Sequence, residues 1–192
     1  MNGMLTLGNL SGKLLIATPS LDESIFERTL IFICEHDKEG AVGVIFNKPK
    51  SIITNREILD KFNLKRRFKL NKKYIIYTGG PVEEDNLFVL SASAEQKKNF
   101  ALDSQLTLYT NADAFLFDVV NGKNDNKFIL CRGFCGWGSG LLEQEISENS
   151  WIVTDADFKT IFAGNPVQKW DKLIKKLGIK NLNRLVPYSG NA

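Results

Sequence analysis

Apolar, β-branched runs of strand length recur along the chain, and each is bounded by glycine, proline, asparagine or aspartate. Runs of this kind predict β-strands. The first three are separated by too few residues to hold a helix, so we expect them to pair antiparallel as a meander, with the segment HDKEG as one of its turns. The predicted strands cover residues 13–18, 29–34, 41–46, 73–78, 87–92, 106–110, 127–132 and 150–154.

Helix signals lie between and after these runs. Thr54, with Glu57 three residues later, has the pattern of a capping box. Similar Thr-x-x-Asp signals start at Thr110 and Thr154, and Asn165 followed by proline starts the last helix. In that helix four apolar residues repeat at helical spacing, which predicts one buried face. They are Trp170, Leu173, Ile174 and Leu177.

The order of these elements predicts the fold class. Strands concentrate early in the chain and helices late, which is typical of an α+β fold rather than of a strictly alternating α/β fold. A chain of 192 residues has the length of one domain with a well-buried core. We therefore expect a single compact domain over residues 1–192, with residues 186–192 as a loose C-terminal tail.

Composition narrows the class of protein further. The net charge of +3 is too mild to predict a nucleic-acid partner by itself. Three cysteines, an odd number without a dense framework, favour a reducing compartment over a secreted disulfide scaffold. The N-terminal residues lack the pattern of a secretory signal, and no apolar run approaches the length of a membrane span. We expect a cytoplasmic protein without a membrane segment.

The segment GFCGWGSG at residues 133–140 raises the question of a phosphate-binding loop. The dinucleotide pattern beginning at Gly136 has Leu141 where its third glycine belongs, and the P-loop pattern beginning at Gly133 has Ser139 where its lysine belongs. Neither motif is therefore present. The glycines are interpreted as a tight turn between a strand and a helix.

The helix expected after this cluster begins at Ser139 as its N-cap, with Glu143 and Glu145 in its first two turns. These carboxylates would repel a phosphate, so a cationic or neutral ligand suits the place better. A second glycine turn, Gly79-Gly80 followed by Pro81, comes after another strand. If the two turns lie close in space, they wall a groove, which is the binding site that the sequence predicts.

The sequence gives little support for a metal site or a catalytic site. Cys34 and His36 are two residues apart on a strand, so we expect them to face the same side. Cys131 and Cys135 would stand roughly 13 Å apart on a strand, so their spacing favours core packing over zinc binding. His36 is the only histidine, and no catalytic residue, metal ligand or cofactor is predicted. One alternative stays open: a hydrolase working through the acidic residues Glu35, Asp37, Glu143 and Glu145.

A second alternative rests on a basic segment interleaved with phenylalanines at residues 60–73. Such a segment can contact nucleic-acid phosphates, although the modest net charge favours a solvated loop. Its basic residues are Lys65, Arg66, Arg67, Lys69, Lys72 and Lys73, with Lys61 just before them. The last helix adds what we interpret as a solvated basic face of Lys169, Lys172, Lys175 and Lys176.

Three motifs occur together: CEH…GxxGxxxNKP, GGPV and GWGxGxLExEI…NxW. In this combination the chain resembles the YqgE/AlgH family of bacterial proteins over nearly its whole length. The resemblance implies a cytoplasmic protein of uncharacterised activity whose single α+β domain has a central mixed, largely antiparallel and partly barrel-like sheet flanked by helices. One branch of that family is named as a regulator of alginate synthesis, a transcription-linked role.

The resemblance and the absence of a catalytic arrangement together favour a non-enzymatic binding or regulatory protein. Its partner would be a small molecule or a protein, with nucleic acid as the less favoured choice. The predicted groove takes its residues from the shared motifs: Glu35, His36, Asn47, Lys48, Gly79, Gly80, Pro81, Trp137, Gly138, Ser139 and Glu143.

Overall fold

The structure is a computed structural model that describes residues 8–63, 72–92 and 106–179. The described part contains nine strands and five α-helices. The strands are β1 Lys13–Ala17, β2 Leu30–Asp37, β3 Gly40–Ile45, β4 Pro49–Thr54, β5 Lys73–Thr78, β6 Val82–Ala92, β7 Leu106–Tyr109, β8 Phe128–Gly138 and β9 Trp151–Asp155. The helices are α1 Asn55–Lys61, α2 Ala112–Val120, α3 Leu141–Ser147, α4 Phe158–Phe162 and α5 Lys169–Lys176.

All eight predicted strands are present, and β4 is the strand that the sequence pattern missed. It begins with Pro49 and ends one path of the sheet, and most of its side chains are exposed. A proline at the first position of an edge strand removes no ladder hydrogen bond. Because β4 has no buried face, it lacks the apolar pattern by which the other strands were recognised.

The sheet is mixed and largely antiparallel. Its main path runs β4-β5-β8-β3-β2-β1-β9, and β6 and β7 branch from β8. The predicted meander of β1, β2 and β3 is confirmed as antiparallel. Among the described strands, β5 and β8 form the parallel pair. The long strand β8 therefore joins two parts of the sheet, since its first residues pair with β5 and β6 and its last residues pair with β3.

Three apolar clusters hold the helices against this sheet. The first takes side chains from both parts of the sheet and is covered by α4 and α5. The second lies under α3, and the third lies under α1 and α2. The described sheet is open, with β4 and β9 at the two ends of its main path. The α+β fold is confirmed. The predicted tail, residues 186–192, lies outside the described residues.

Of the starts of α1, α2, α4 and α5, two agree with the sequence and two differ. Thr54 and Glu57 form the predicted capping box of α1, and Asn165 caps a short 3-10 turn that leads into α5. In α2 the N-cap is Asn111 rather than Thr110, and in α4 it is Asp157, because Thr154 is paired within β9. Asparagine and aspartate are better N-caps than threonine. None of the described helices is long and apolar enough to cross a membrane.

Candidate functional site

Most of the glycine cluster is part of a strand, so its interpretation as a turn between strand and helix holds only at its end. Gly133, Gly136 and Gly138 all lie within β8. The turn itself is made by Gly140, whose φ is 74°, and this residue rather than Ser139 occupies the N-cap position of α3. The Ser139 hydroxyl instead donates to the backbone carbonyl of Lys38, 2.6 Å away, which ties the β2–β3 turn to the end of β8.

The two glycine motifs meet backbone to backbone. The Gly79 N–H donates to the Arg132 carbonyl at 2.7 Å. A Cβ atom at Gly79 would stand 2.1 Å from the Gly133 carbonyl oxygen, and one at Gly80 would stand 2.2 Å from the Phe134 carbonyl. Since no side chain fits between these strands, the glycines allow β8 and the β5–β6 connection to touch. Both glycine motifs are recognisable in the sequence, but only the tertiary structure shows that they contact each other.

The outer face of β8 is bare backbone at Gly136 and Gly138, both of which are exposed. An added Cβ at either position would meet no atom closer than 3.6 Å. Pro81 is also exposed, and Lys48 is half-buried. The groove between the glycine turns stays a prediction.

Asn47 is a structural residue of the NKP motif. Its side chain is buried. The amide oxygen accepts from the Leu30 N–H at 2.7 Å, and the amide nitrogen donates to the Arg28 carbonyl at 2.9 Å. The side chain thus satisfies backbone groups next to β2, as a buried amide must.

His36 and Glu143 form a half-buried pair that fastens α3 to β2. The Nδ1 atom of His36 accepts from the Leu10 N–H at 3.1 Å, and its Nε2 atom lies 2.9 Å from Glu143 Oε1. Because Nδ1 accepts, the ring proton is on Nε2 and is donated to the carboxylate. Both ring nitrogens are therefore used inside the protein.

Glu145 joins two indoles. Its Oε2 atom accepts from Trp137 Nε1 at 2.9 Å and from Trp151 Nε1 at 2.7 Å. The two rings are 6.3 Å apart in an edge-to-face arrangement. Glu35 and Asp37, by contrast, are exposed neighbours of His36 on β2 and point to the other face of the strand. The structure therefore does not bring the four predicted acidic residues together.

The cysteines are free and lie in the core or against it. The expectation that Cys34 and His36 face the same side is wrong, because a register shift between Ile33 and Glu35 separates them. Cys34 packs against the first cluster, whereas His36 contacts α3. Burial raises the pKa of all three thiols, for Cys131 to about 12, so they are weak nucleophiles. The searched ranges, 8–63, 72–92 and 106–179, contain no group of three His, Cys, Asp or Glu side chains placed to hold a metal ion.

Most of the basic segment lies outside the described residues. This holds for Lys65, Arg66, Arg67 and Lys69. Lys72 and Lys73 are described and exposed. The Lys72 ammonium lies 5.0 Å from the centre of the Tyr74 ring.

A second candidate site lies between α4 and α5. These helices flank an open cleft of about 330 Å³, which we call the lysine cavity. Asp157 and Asn165 contribute polar groups to its wall. Its lysines are Lys159, Lys169, Lys172 and Lys176.

Lys169 is the unusual member of this set, because it is only 7% exposed. Its ammonium donates to the Ile161 carbonyl near the end of α4 and lies 5.2 Å from the centre of the Phe46 ring. Burial lowers the pKa of Lys169 to about 8. The expectation of a solvated Lys169 is therefore wrong. The helical periodicity of the sequence indicates this burial, since residue 169 lies on the same face of the helix as Leu173.

The other charges of the cavity are unevenly paired. Burial alone would raise the pKa of Asp157, but hydrogen bonds from Thr160 and from the Lys176 ammonium, 3.2 Å away, hold it below its ordinary value. No ion pair joins Lys159 or Lys172 to an acidic side chain of the described residues, and both lysines are exposed. The cavity thus carries an excess of positive charge.

The lowered pKa of Lys169 predicts how stability depends on pH. Between about pH 8 and the ordinary lysine pKa of about 10.4, the unfolded chain binds more protons than the folded one, so stability rises with pH. We expect the free energy of unfolding of the natural protein, relative to Lys169→Met, to rise by about 2 kcal/mol from pH 7 to pH 9.5. Urea unfolding of both proteins at each pH measures this, and a constant difference would contradict it.

Comparison with known proteins matches the chain over almost its whole length. The AlgH-like family model matches residues 14–182. A UPF0301 protein of Pseudoalteromonas translucida (strain TAC 125) is 36% identical over 187 residues, covering 96% of this chain and 99% of that protein. A UPF0301 protein of Actinobacillus pleuropneumoniae serotype 5b is 33% identical over 180 residues, covering 92% of this chain and 96% of that protein.

Two solved structures resemble the fold. The solution structure of the AlgH protein from Pseudomonas aeruginosa has a TM-score of 0.68 at 30% identity and covers 96% of each chain. The crystal structure of a Corynebacterium diphtheriae protein has a TM-score of 0.64 at 21% identity, covering 95% of this chain and 94% of that one. The resemblance drawn from the three motifs is confirmed.

Proposed function

The chain belongs to the AlgH-like family, and from that premise we propose that it is a non-enzymatic binding protein of regulatory type whose lysine cavity holds a small anionic ligand. Its three free thiols support a reducing compartment, the bacterial cytoplasm. The ligand class follows from the charge of the cavity, because an excess of lysine favours phosphate or carboxylate groups.

The buried ammonium of Lys169 is the observation that carries this proposal. An ammonium has three N–H donors, and the hydrogen bond of Lys169 to a described residue is the one to Ile161. A buried charged group whose N–H donors lack acceptors is unfavourable unless a partner accepts those hydrogen bonds. An anion in the cavity would lie among Lys169 and the exposed Lys159 and Lys172, which all line it.

The family motifs support the non-enzymatic part of the proposal. Their chemically active side chains are engaged with one another: His36 with Glu143, and Glu145 with both indoles. Groups held in this way stabilise the frame around α3 and have few free atoms for a substrate. In this proposal the family motifs stabilise the fold, and the lysine cavity is the binding site.

Titration calorimetry with pyrophosphate at low salt tests the proposal. We expect binding that weakens as NaCl is added and that weakens at least about tenfold in the double variant Lys159→Gln/Lys172→Gln, because two charge-assisted hydrogen bonds are lost. Lys175→Gln is the matched control, since Lys175 is exposed on the same helix but does not line the cavity. Absence of binding, or equal weakening by the control, would overturn the proposal.

Nucleic-acid binding through the basic segment at residues 60–73 stays the alternative. The same titration with a single-stranded oligonucleotide separates the two sites, because binding through that segment would not change in the cavity variant. An oligonucleotide that binds the natural protein and the cavity variant equally, with no pyrophosphate binding, would favour the alternative.

A further inference from the structure

The hydrogen bonding of Lys169 also suits a substituted amine. An ammonium carries three N–H donors, whereas the acceptor of Lys169 among the described residues is the backbone carbonyl of Ile161. A lysine that reacts with an aldehyde or a ketone forms an imine, and the nitrogen of a protonated imine carries a single N–H. The Ile161 carbonyl would accept that hydrogen bond, and no buried donor would be left without a partner.

The surroundings of Lys169 make its amine reactive near neutral pH. The side chain lies 5.2 Å from the centre of the buried Phe46 ring and on the same helix face as the buried Leu173. Lysines that are desolvated or placed beside other cations form imines with carbonyl compounds, because both effects favour the neutral amine. Lys169 meets both conditions: burial lowers its pKa to about 8, and Lys159 and Lys172 line the same cavity.

Lys159 and Lys172 are placed to recognise a negative charge on the same ligand. Both are exposed, and neither forms an ion pair with an acidic side chain of the described residues. Lys176, by contrast, is paired with Asp157 at 3.2 Å. A carboxylate or phosphate held by the two unpaired lysines would keep the rest of a small ligand in the cavity that Lys169 lines.

We propose that Lys169 captures small anionic aldehydes or ketones as a reversible imine, while Lys159 and Lys172 hold the anionic group. The neutral amine attacks the carbonyl carbon, a C=N bond replaces the C=O bond, and the oxygen leaves as water with the two amine protons. The step needs no oxidant, reductant or further reactant, and the apolar surroundings protect the imine from hydrolysis. The inference rests on the proposed function and adds a carbonyl group to its ligand.

Reductive trapping tests the imine directly. The protein is treated with sodium cyanoborohydride and one of three aldehydes: glyoxylate, which carries a carboxylate, glycolaldehyde phosphate, which carries a phosphate, or the neutral glycolaldehyde. The hydride reduces the imine to a stable secondary amine, which peptide mass spectrometry locates.

The expected site of labelling follows from the fraction of neutral amine. At pH 7 about a tenth of the Lys169 amines are neutral, against less than about a thousandth for an ordinary lysine. We therefore expect glyoxylate or glycolaldehyde phosphate to label Lys169 at least about tenfold faster than the exposed Lys175. Whichever of the two reacts faster identifies the anionic group that the cavity prefers.

The double variant Lys159→Gln/Lys172→Gln tests the recognition of charge. Labelling of Lys169 by the preferred anionic aldehyde should slow about tenfold, because two charge-assisted hydrogen bonds are lost, whereas labelling by glycolaldehyde should change by less than about twofold.

The outcomes separate this inference from the proposed function. If Lys169 is labelled no faster than Lys175, or if glycolaldehyde labels it as fast as the anionic aldehydes do, the inference is overturned. The proposed function then stands if pyrophosphate binds in a manner that depends on Lys159 and Lys172. If pyrophosphate does not bind either, both are overturned.

Discussion

Gly79→Ala is expected to destabilise the protein by about 3 kcal/mol or more, the upper end of the range for overpacking a well-packed interior. The new Cβ would stand 2.1 Å from the Gly133 carbonyl oxygen and 2.9 Å from Cys131 Cβ. Neither neighbour can move cheaply, because both belong to β8, which joins the two parts of the sheet. Urea unfolding, followed by circular dichroism, measures the change in midpoint and slope.

Gly136→Ala is the matched control, because it places the same methyl group on β8 without a close contact. Its Cβ would meet no atom nearer than 3.6 Å, and neither Gly79 nor Gly136 has a positive φ. The pair therefore differs in steric contact rather than in backbone conformation. We expect a change within about 0.5 kcal/mol for Gly136→Ala. A mild effect of Gly79→Ala, equal to that of the control, would mean that β8 and the β5–β6 connection do not touch at these glycines.

Glu145→Ala is expected to cost about 3 kcal/mol of stability, because two indole N–H groups lose their acceptor and each buried unpaired donor costs about 1–3 kcal/mol. Trp137 and Trp151 are 9% and 3% exposed, so water reaches their N–H groups poorly. Both rings belong to the cluster under α3, and the carboxylate therefore ties that helix to β8 and β9. Denaturant unfolding gives the stability, and faster solvent exchange of the two indole protons in NMR reports the loss of the acceptor.

Two further variants separate the bridge from general effects of charge. Glu145→Gln keeps one oxygen acceptor and should cost only about 1 kcal/mol, since hydrogen bonds to an ionised group are roughly twice as strong as neutral ones. Glu148→Ala removes an exposed carboxylate that contacts only Gln144 among the described residues and should change stability by less than about 0.5 kcal/mol. If Glu145→Ala behaves like Glu148→Ala, the bridging role of Glu145 is wrong.

Sequence patterns predict only part of the candidate sites. The family motifs were recognised from their residues, but their roles were not, because His36, Glu143 and Glu145 find partners 6 to 107 positions away in the chain. Lys169 was placed on a solvated face because a lysine is rarely buried. The i, i+4 spacing of Lys169 and Leu173 indicated the opposite, namely a buried lysine. The burial itself depends on α4, which covers Lys169 in the folded protein.

The sequence by itself determined the local features of this protein. Apolar runs bounded by turn residues defined eight strands, and the capping box of Thr54 and Glu57 placed α1, because these patterns depend on neighbours a few residues apart. Tertiary structure alone decided the rest: that most of the glycine cluster is a strand touching Gly79, that β4 is an edge strand, and that Lys169 is buried between α4 and α5. These outcomes depend on which distant backbone or side chain fills the neighbouring space, and steric contact and desolvation act only once the chain has brought them together.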